Sequence, residues 1–241
     1  MHPDPAAAAG FVLAAYLLGA TPFALLLGKL HGVDIRDYGS GNVGATNLGR
    51  ALGSKTWGVV CFFLDLGKGL GPTLAYGLTY GPLNPGRAPG AVATGLWVAV
   101  AAAAVLGHIF SPYLKFKGGK GAATGLGATL GLWPTLTAAA GVAFLLWFAV
   151  TKKTGYVGLA SVLAAASLTP AGLILGPALG RPWNETAVFL AVAVALGALV
   201  IFRHKGNLQR LRQGAESRVA WGGPKAKPND GKPAKASRRD N

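Results

Sequence analysis

The chain has 241 residues, of which 51% are hydrophobic and only 13% charged, with 23 Lys and Arg against 8 Asp and Glu. A soluble globular domain carries about 25% charged residues, so the composition excludes an ordinary soluble enzyme. Several apolar runs of roughly bilayer-spanning length make the expected class an all-α, polytopic integral membrane protein, and its single cysteine, Cys61, excludes an internal disulfide and points to no cysteine-based metal site.

The first apolar run covers 8–30. The segment before it, "MHPDPAAAAG", has no Lys or Arg, whereas a secretory signal needs a positive n-region, so this run is expected to stay as a membrane span. Further spans are expected near 56–78, 91–110, 156–176 and 185–202. Between Lys120 and Lys152 lie 31 residues, long for one crossing and short for two full ones. Two short helices meeting at Trp133-Pro134 fit this segment, and so does a re-entrant hairpin.

Charge sets the orientation, because Lys and Arg gather on the cytoplasmic side. Lys29, Arg36, Arg50 and Lys55, then Lys115, Lys117 and Lys120, then Lys152 and Lys153, and finally the segment after the last span together hold 20 of the 23 basic residues. Arg87 and Arg181 fall on the other side and Lys68 within a span. The expectation is an outside N-terminus, a cytoplasmic C-terminus and seven transmembrane helices, with five plus a re-entrant pair as the alternative. Residues 1–218 form the membrane domain. The basic tail, 219–241, is rich in Pro, Gly and Lys over "GGPKAKPNDGKPAKASRRDN" and reads as disordered. Attraction to anionic lipid headgroups explains its charge without nucleic acid.

Polarity concentrates in three segments on the cytoplasmic side. The first, "GSGNVGATNLGR" (39–50), contains GxGxxG at Gly39, Gly41 and Gly44. A dinucleotide fingerprint needs a preceding strand, and here an apolar helical run comes first. Its donors, Ser40, Asn42, Thr46, Asn47 and Arg50, with glycines and no acidic residue, suit a phosphate or carboxylate; a tight turn with helix caps uses the same residue types. The second, "KFKGGKGAATG" (115–125), sets Gly118, Gly119, Lys120 and Gly121 before an apolar helix; this suits an anion contact at Lys120, while a positive-inside loop explains Lys115 and Lys117 equally well. It is not a Walker A loop, since Leu114 and Gly121 stand where that motif has Gly and Ser or Thr. The third, "FRHKGNLQRLRQGAESR" (202–218), puts His204 and Asn207 three residues apart, on one face of a helix. His204 suits a general base or a phosphate donor, and equally a helix cap. Glu216, an acid among arginines, reads as an ion-pair partner. Within the second span, Asp65 and Lys68 lie one turn apart and read as a mutual pair at membrane depth.

Taken together, "GSGNVGATNLGR", "DLGKG" (65–69), "GHIFSPYLKFKGGKGAAT" (107–124), "TGYVGLAS" (154–161) and "RHKGNLQRLRQGAE" (203–216) closely resemble the bacterial acylphosphate-dependent glycerol-3-phosphate 1-O-acyltransferases, the PlsY family. The likeness runs from about residue 10 to residue 218 and leaves the tail outside. It implies seven helices, an active site at the cytoplasmic face of the bacterial inner membrane, and transfer of a fatty acyl group from acyl phosphate to the 1-hydroxyl of glycerol 3-phosphate. The products would be lysophosphatidic acid and phosphate, in the first acylation step of phospholipid biosynthesis, with no metal and no cofactor. By motif position, Ser40 and Arg50 would bind phosphate, Lys120 and its glycines would hold glycerol 3-phosphate, and His204 and Asn207 would sit near the reacting hydroxyl. Glu216 would hold the C-terminal segment. Partners would be membrane lipids, the upstream acyl-phosphate synthase and the downstream acyltransferase. One departure stands out: the family's Val-Ser-Leu is here Val157-Gly158-Leu159, which removes a serine contact to phosphate, with Ser161 one turn on.

The residue chemistry is consistent with this. Acyl phosphate is already an activated mixed anhydride, so no Ser or Cys nucleophile is required, and positioning with charge stabilisation suffices. The rival class is an organophosphate transporter, which should carry its charges near mid-membrane rather than in inner loops.

Overall fold

A computed structural model describes residues 5–85 and 91–219. The regular structure of these residues is helical. The first expected span is not one helix. α1 (Pro5–Ala20) and α2 (Phe23–Leu30) meet at a bend of 41°. Pro22 is the cause: it has no N–H to give, and it drives Thr21 away from helical backbone. A 3-10 turn, Ile35–Asp37, then leads to a short α3 (Ala45–Leu52), which stops at Gly53 in the left-handed region (φ 62°). α4 (Lys55–Thr79) starts at Ser54, whose Oγ accepts from the Trp57 N–H at 3.4 Å. α5 (Ala91–Ile109), α8 (Val157–Ala178) and α9 (Trp183–Arg203) follow the expected spans to within a few residues. The 31-residue segment breaks at Trp133-Pro134 into α6 (Ala122–Leu130) and α7 (Thr135–Thr154), and α10 (Lys205–Arg212) follows α9 after His204.

Among the described residues, five helical stretches are long and apolar enough to cross a membrane: α4, Val92–Leu114, α7, α8 and α9; the bent α1–α2 pair makes a sixth. α6 has nine residues. At 1.5 Å per residue it extends about 14 Å, short of the roughly 30 Å of hydrocarbon. The tail beyond Val219, expected to be disordered, and Arg87, expected on the outer side, lie outside the described residues.

Small residues decide which helices touch. A Cβ on Gly19 would stand 2.1 Å from the Ala104 carbonyl oxygen, and one on Gly107 2.1 Å from that of Tyr16, so α1 and α5 lie backbone to backbone. Gly69 against Thr124 and Gly127 against Leu66 do the same for α4 and α6. In lipid, where apolar side chains gain little from leaving their solvent, such close approach is a main source of helix association. A second apolar cluster, with Ile35, Leu48 and Cys61 fully buried, pins the 33–52 segment onto α4. Asp65 and Lys68 pair at 2.8 Å as expected, and Lys68 Nζ also donates to the Thr21 carbonyl at 2.8 Å. That carbonyl is one the Pro22 break leaves without a helical partner, so a single ammonium neutralises Asp65 and satisfies the bend.

Candidate active site

The GxGxxG segment forms a loop held from within. Asn47, on α3 and 1% exposed, accepts from the Ser40 N–H at 3.1 Å through Oδ1 and donates Nδ2–H to the Ile35 carbonyl at 2.8 Å. Gly39 and Gly41 have positive φ (53° and 65°), and a Cβ on Gly39 would stand 2.8 Å from Asn47 Oδ1. The loop therefore needs glycine there, and it turns back on α3 with Ser40 and Asn42 directed to a cavity. The elements before it are α2 and a 3-10 turn, so the strand that a dinucleotide fingerprint requires is not there.

The Lys-Gly-Gly-Lys loop folds onto the end of α5. The Gly118 and Gly119 N–H groups donate to the Ile109 and His108 carbonyls at 3.1 and 3.0 Å. Arg203 Nη2 donates to the carbonyls of Gly118 and Gly119, both at 3.1 Å. A Cβ on Gly119 would be 2.1 Å from His108 Nε2, so the backbone lies flat on that ring. This delivers Lys120 to the cavity, where its ammonium donates to Asn207 Oδ1. Burial, with Arg210 nearby, lowers the Lys120 pKa to about 8, although Glu216 opposes the shift.

His204 sits at the junction of α9 and α10. Its Nδ1–H donates to the Val200 carbonyl at 2.7 Å, which leaves Nε2 as the unprotonated nitrogen. Burial pushes its pKa down to about 4, so the ring is neutral at ordinary pH. His204 thus ends a helix and lines the cavity at once. Asn207 donates to Glu216 Oε1 at 2.6 Å, and Arg210 pairs with Glu216 Oε2 at 2.8 Å. Arg50 donates to the Ser217 carbonyl at 2.8 Å, so the C-terminal segment ties α3 to α10. Gly158 gives a physical reason for the departure noted in the sequence. A Cβ there would lie 2.6–2.8 Å from three atoms of Asn207, so a serine at 158 and this Asn207 position exclude each other. Ser161 lines the cavity one turn on and accepts from Trp147 Nε1 at 3.3 Å.

All of this opens on a cavity of about 180 Å³ lined by Ser40, Asn42, Gly44, Thr46, Asn47, Arg50, Lys120, Gly121, His204, Asn207 and Glu216. A more open basic pocket beside it shares Ser40, Asn42, Lys120 and Asn207 and adds Gly41, Gly118, Arg203 and Arg210. Gly39 and Gly119 line neither and act through loop shape. Asp65, read as structural, also lines the cavity, and His108, Arg203 and Arg210 join the site without having been singled out by the sequence. All three lie inside quoted motifs, His108 in 107–124 and Arg203 and Arg210 in 203–216, which is the signal the sequence offers for them. The first residues of α3, α6, α8 and α10 rim the same mouth. Their free N–H groups and macrodipoles add positive potential to that of the guanidinium and ammonium groups. Among the described residues no three His, Cys, Asp or Glu side chains gather as a metal site.

The family model described as glycerol-3-phosphate acyltransferase matches residues 9–214. The chain belongs to the glycerol-3-phosphate acyltransferase family. It is 42% identical over 207 residues to the glycerol-3-phosphate acyltransferase of Aquifex aeolicus, covering 86% of this chain and 96% of the relative. The corresponding protein of Thermus thermophilus is 39% identical over 219 residues, with 88% and 96% covered. Among solved structures, the chain is similar to the glycerol 3-phosphate form of PlsY, an integral membrane glycerol 3-phosphate acyltransferase, with TM-score 0.73 and 38% identity over 89% of this chain and 96% of that one. It is likewise similar to the lysophosphatidic acid form of PlsY, with TM-score 0.71 and 37% identity. As a member of this family the chain is a multi-pass membrane acyltransferase, which sets the transporter reading aside.

Proposed function

We propose that the chain transfers a fatty acyl group from acyl phosphate to the 1-hydroxyl of glycerol 3-phosphate, releasing lysophosphatidic acid and phosphate. The observation that carries this reading is the mouth of the cavity. Arg50, Lys120, Arg203 and Arg210 stand against Glu216 there, beside four helix N-termini, while the cavity beneath is mostly apolar, with Asp65 and His108 in its lining. Two phosphate-bearing substrates would use the surplus of positive charge, and an acyl chain would use the apolar part. Ser40 and Arg50 would hold one phosphate, and Lys120 with Gly118 to Gly121 would hold glycerol 3-phosphate. His204 Nε2 and Asn207 would orient the 1-hydroxyl. The hydroxyl oxygen forms the ester bond to the acyl carbon, and the bond from that carbon to the phosphate oxygen breaks. An imidazole with a pKa near 4 is a poor sink for the hydroxyl proton. A phosphate departing from acyl phosphate leaves as its fully deprotonated anion, a far stronger base, and takes the proton to become hydrogen phosphate.

The basic-residue distribution supports an outside N-terminus and a cytoplasmic C-terminus in a bacterial inner membrane. In that topology α6 is the short seventh membrane element, paired with α7. The tail, 219–241, lies on the cytoplasmic side against anionic headgroups, and the substrate is handed over by an acyl-phosphate synthase and the product to a second acyltransferase. The test is turnover of glycerol 3-phosphate by the purified full chain with palmitoyl phosphate and, in parallel, with palmitoyl-CoA. Phosphate release and lysolipid with acyl phosphate alone are expected; activity only with palmitoyl-CoA overturns the donor assignment.

A further inference from the structure

One wall of the cavity is unused by the chemistry at its mouth. Phe62 on α4 and Phe144 and Trp147 on α7 line it and form a stack. The Phe62 and Trp147 ring centres are 5.8 Å apart at 17°, and those of Phe144 and Trp147 are 6.0 Å apart at 16°. These rings bridge a gap between two helices. α4 packs closely on α3, α5 and α6, and α7 on α6, α8 and α9, but α4 and α7 do not pack closely on one another. The outer side of the stack faces the surface that lipid covers: Phe144 is 38% exposed, and its neighbours Phe63 and Leu145 are 61% and 67% exposed. Rings can rotate aside where packed backbones cannot. Trp147 is tethered to α8 through Ser161, which leaves Phe62 and Phe144 as the movable pair.

Depth supplies the second observation. The cavity floor is Leu168 and Leu196, both 7% exposed. From Gly158 at the mouth to Leu168 is ten residues of α8, about 15 Å. An extended palmitoyl chain is longer than that, so the floor does not hold it whole.

We propose that the Phe62–Trp147–Phe144 stack between α4 and α7 is a side door to the bilayer. Through it the acyl chain of the donor enters and that of the lysolipid leaves, and past it long chains project while they react. The door rests on the acyl-transfer reading. It keeps the chain in apolar surroundings throughout, whereas passage through the mouth would draw it across water and the basic side chains.

The test uses the full chain with two acyl phosphates carrying a diazirine at the chain end, one of octanoyl and one of palmitoyl length. Turnover of both is measured first and probes the acyl-transfer reading alone; folded protein that processes neither removes that reading and the door with it. With turnover present, the palmitoyl-length probe should label α4 and α7 around Phe62 and Phe144, and the octanoyl-length probe should label α8 and α9 around Leu168 and Leu196. Labelling of Leu168 and Leu196 by the long probe, with none at the stack, overturns the door and leaves the enzyme assignment standing. In addition, Phe144→Trp, which fills the gap between α4 and α7, should lower the palmitoyl-to-octanoyl ratio of kcat/KM by about tenfold, through long-chain turnover alone. An unchanged ratio counts against the door.

Discussion

Two groups of buried charge lie along one cavity, and they differ in what they leave over. Asp65 and Lys68 on α4 meet at 2.8 Å with side chains 4% and 2% exposed, and Lys68 spends a second donor on Thr21. That pair balances its own charge, and Asp65 keeps Cys61 and His108 as further neighbours, at 3.8 and 3.7 Å. At the mouth, Arg50, Lys120, Arg203 and Arg210 face Glu216, and helix N-termini add to the same sign. Here positive charge remains after every internal contact is made, and it calls for an anion. A charge at membrane depth marks function by default, yet in this molecule the deeper pair braces α4 against the bend at Thr21, and the shallower set is the one to which we assign the chemistry. The balance of charge, rather than depth, separates the two.

The comparison breaks most sharply at Arg50. Arg50→Ala should reduce turnover by about a hundredfold to a thousandfold, the scale of losing one charge-stabilising donor. The melting temperature in detergent should hardly move, because among the described residues the guanidinium makes one hydrogen bond, to the Ser217 carbonyl. Near-normal activity would take Arg50 out of the site. Asp65→Ala should do the reverse. It leaves Lys68 buried without its anion, at a cost of about 3–5 kcal/mol, and lowers the thermal midpoint, while the double change Asp65→Asn with Lys68→Met recovers most of it. If the single change left the midpoint alone, the pair would not be the brace described.

Smaller effects sharpen the picture. Lys120 has its pKa lowered to about 8 in the free protein. Its charge is therefore present below that pH and lost above it, so KM for glycerol 3-phosphate should be flat below pH 8 and climb by up to about tenfold per unit beyond it. Lys120→Arg should remove that climb, since a guanidinium stays charged; a pH profile identical in both proteins would place the anion contact elsewhere. Finally, Gly158→Ser, which introduces the serine that the resemblance implies at this place, should slow turnover about tenfold rather than help. Its Cβ would push into Asn207, and overpacking of this kind costs about 1–3 kcal/mol. A faster Gly158→Ser enzyme would show that Asn207 yields and that the serine contact is recovered.

The sequence by itself determined the membrane class, most of the long helices and the three polar segments. Long apolar runs have few alternatives in lipid, where backbone groups must satisfy one another within the helix. It also determined the Asp65–Lys68 pair, because neighbours one turn apart meet on any helix. The break at Pro22 is legible in the proline, but hydropathy runs on across it and hides the bend. What only the tertiary structure decided is how segments more than a hundred residues apart become one site. Gly39 and Asn47 shape a loop whose target is set by α6 and α10. His108 enters only because the glycines of the second loop lie on its ring, and Arg203 only because it reaches their carbonyls. Gly158 looked like a lost contact and is space filled by Asn207. Each of these depends on a close approach between helices, and close approach is fixed by which small residues face which backbone, information that no single segment carries.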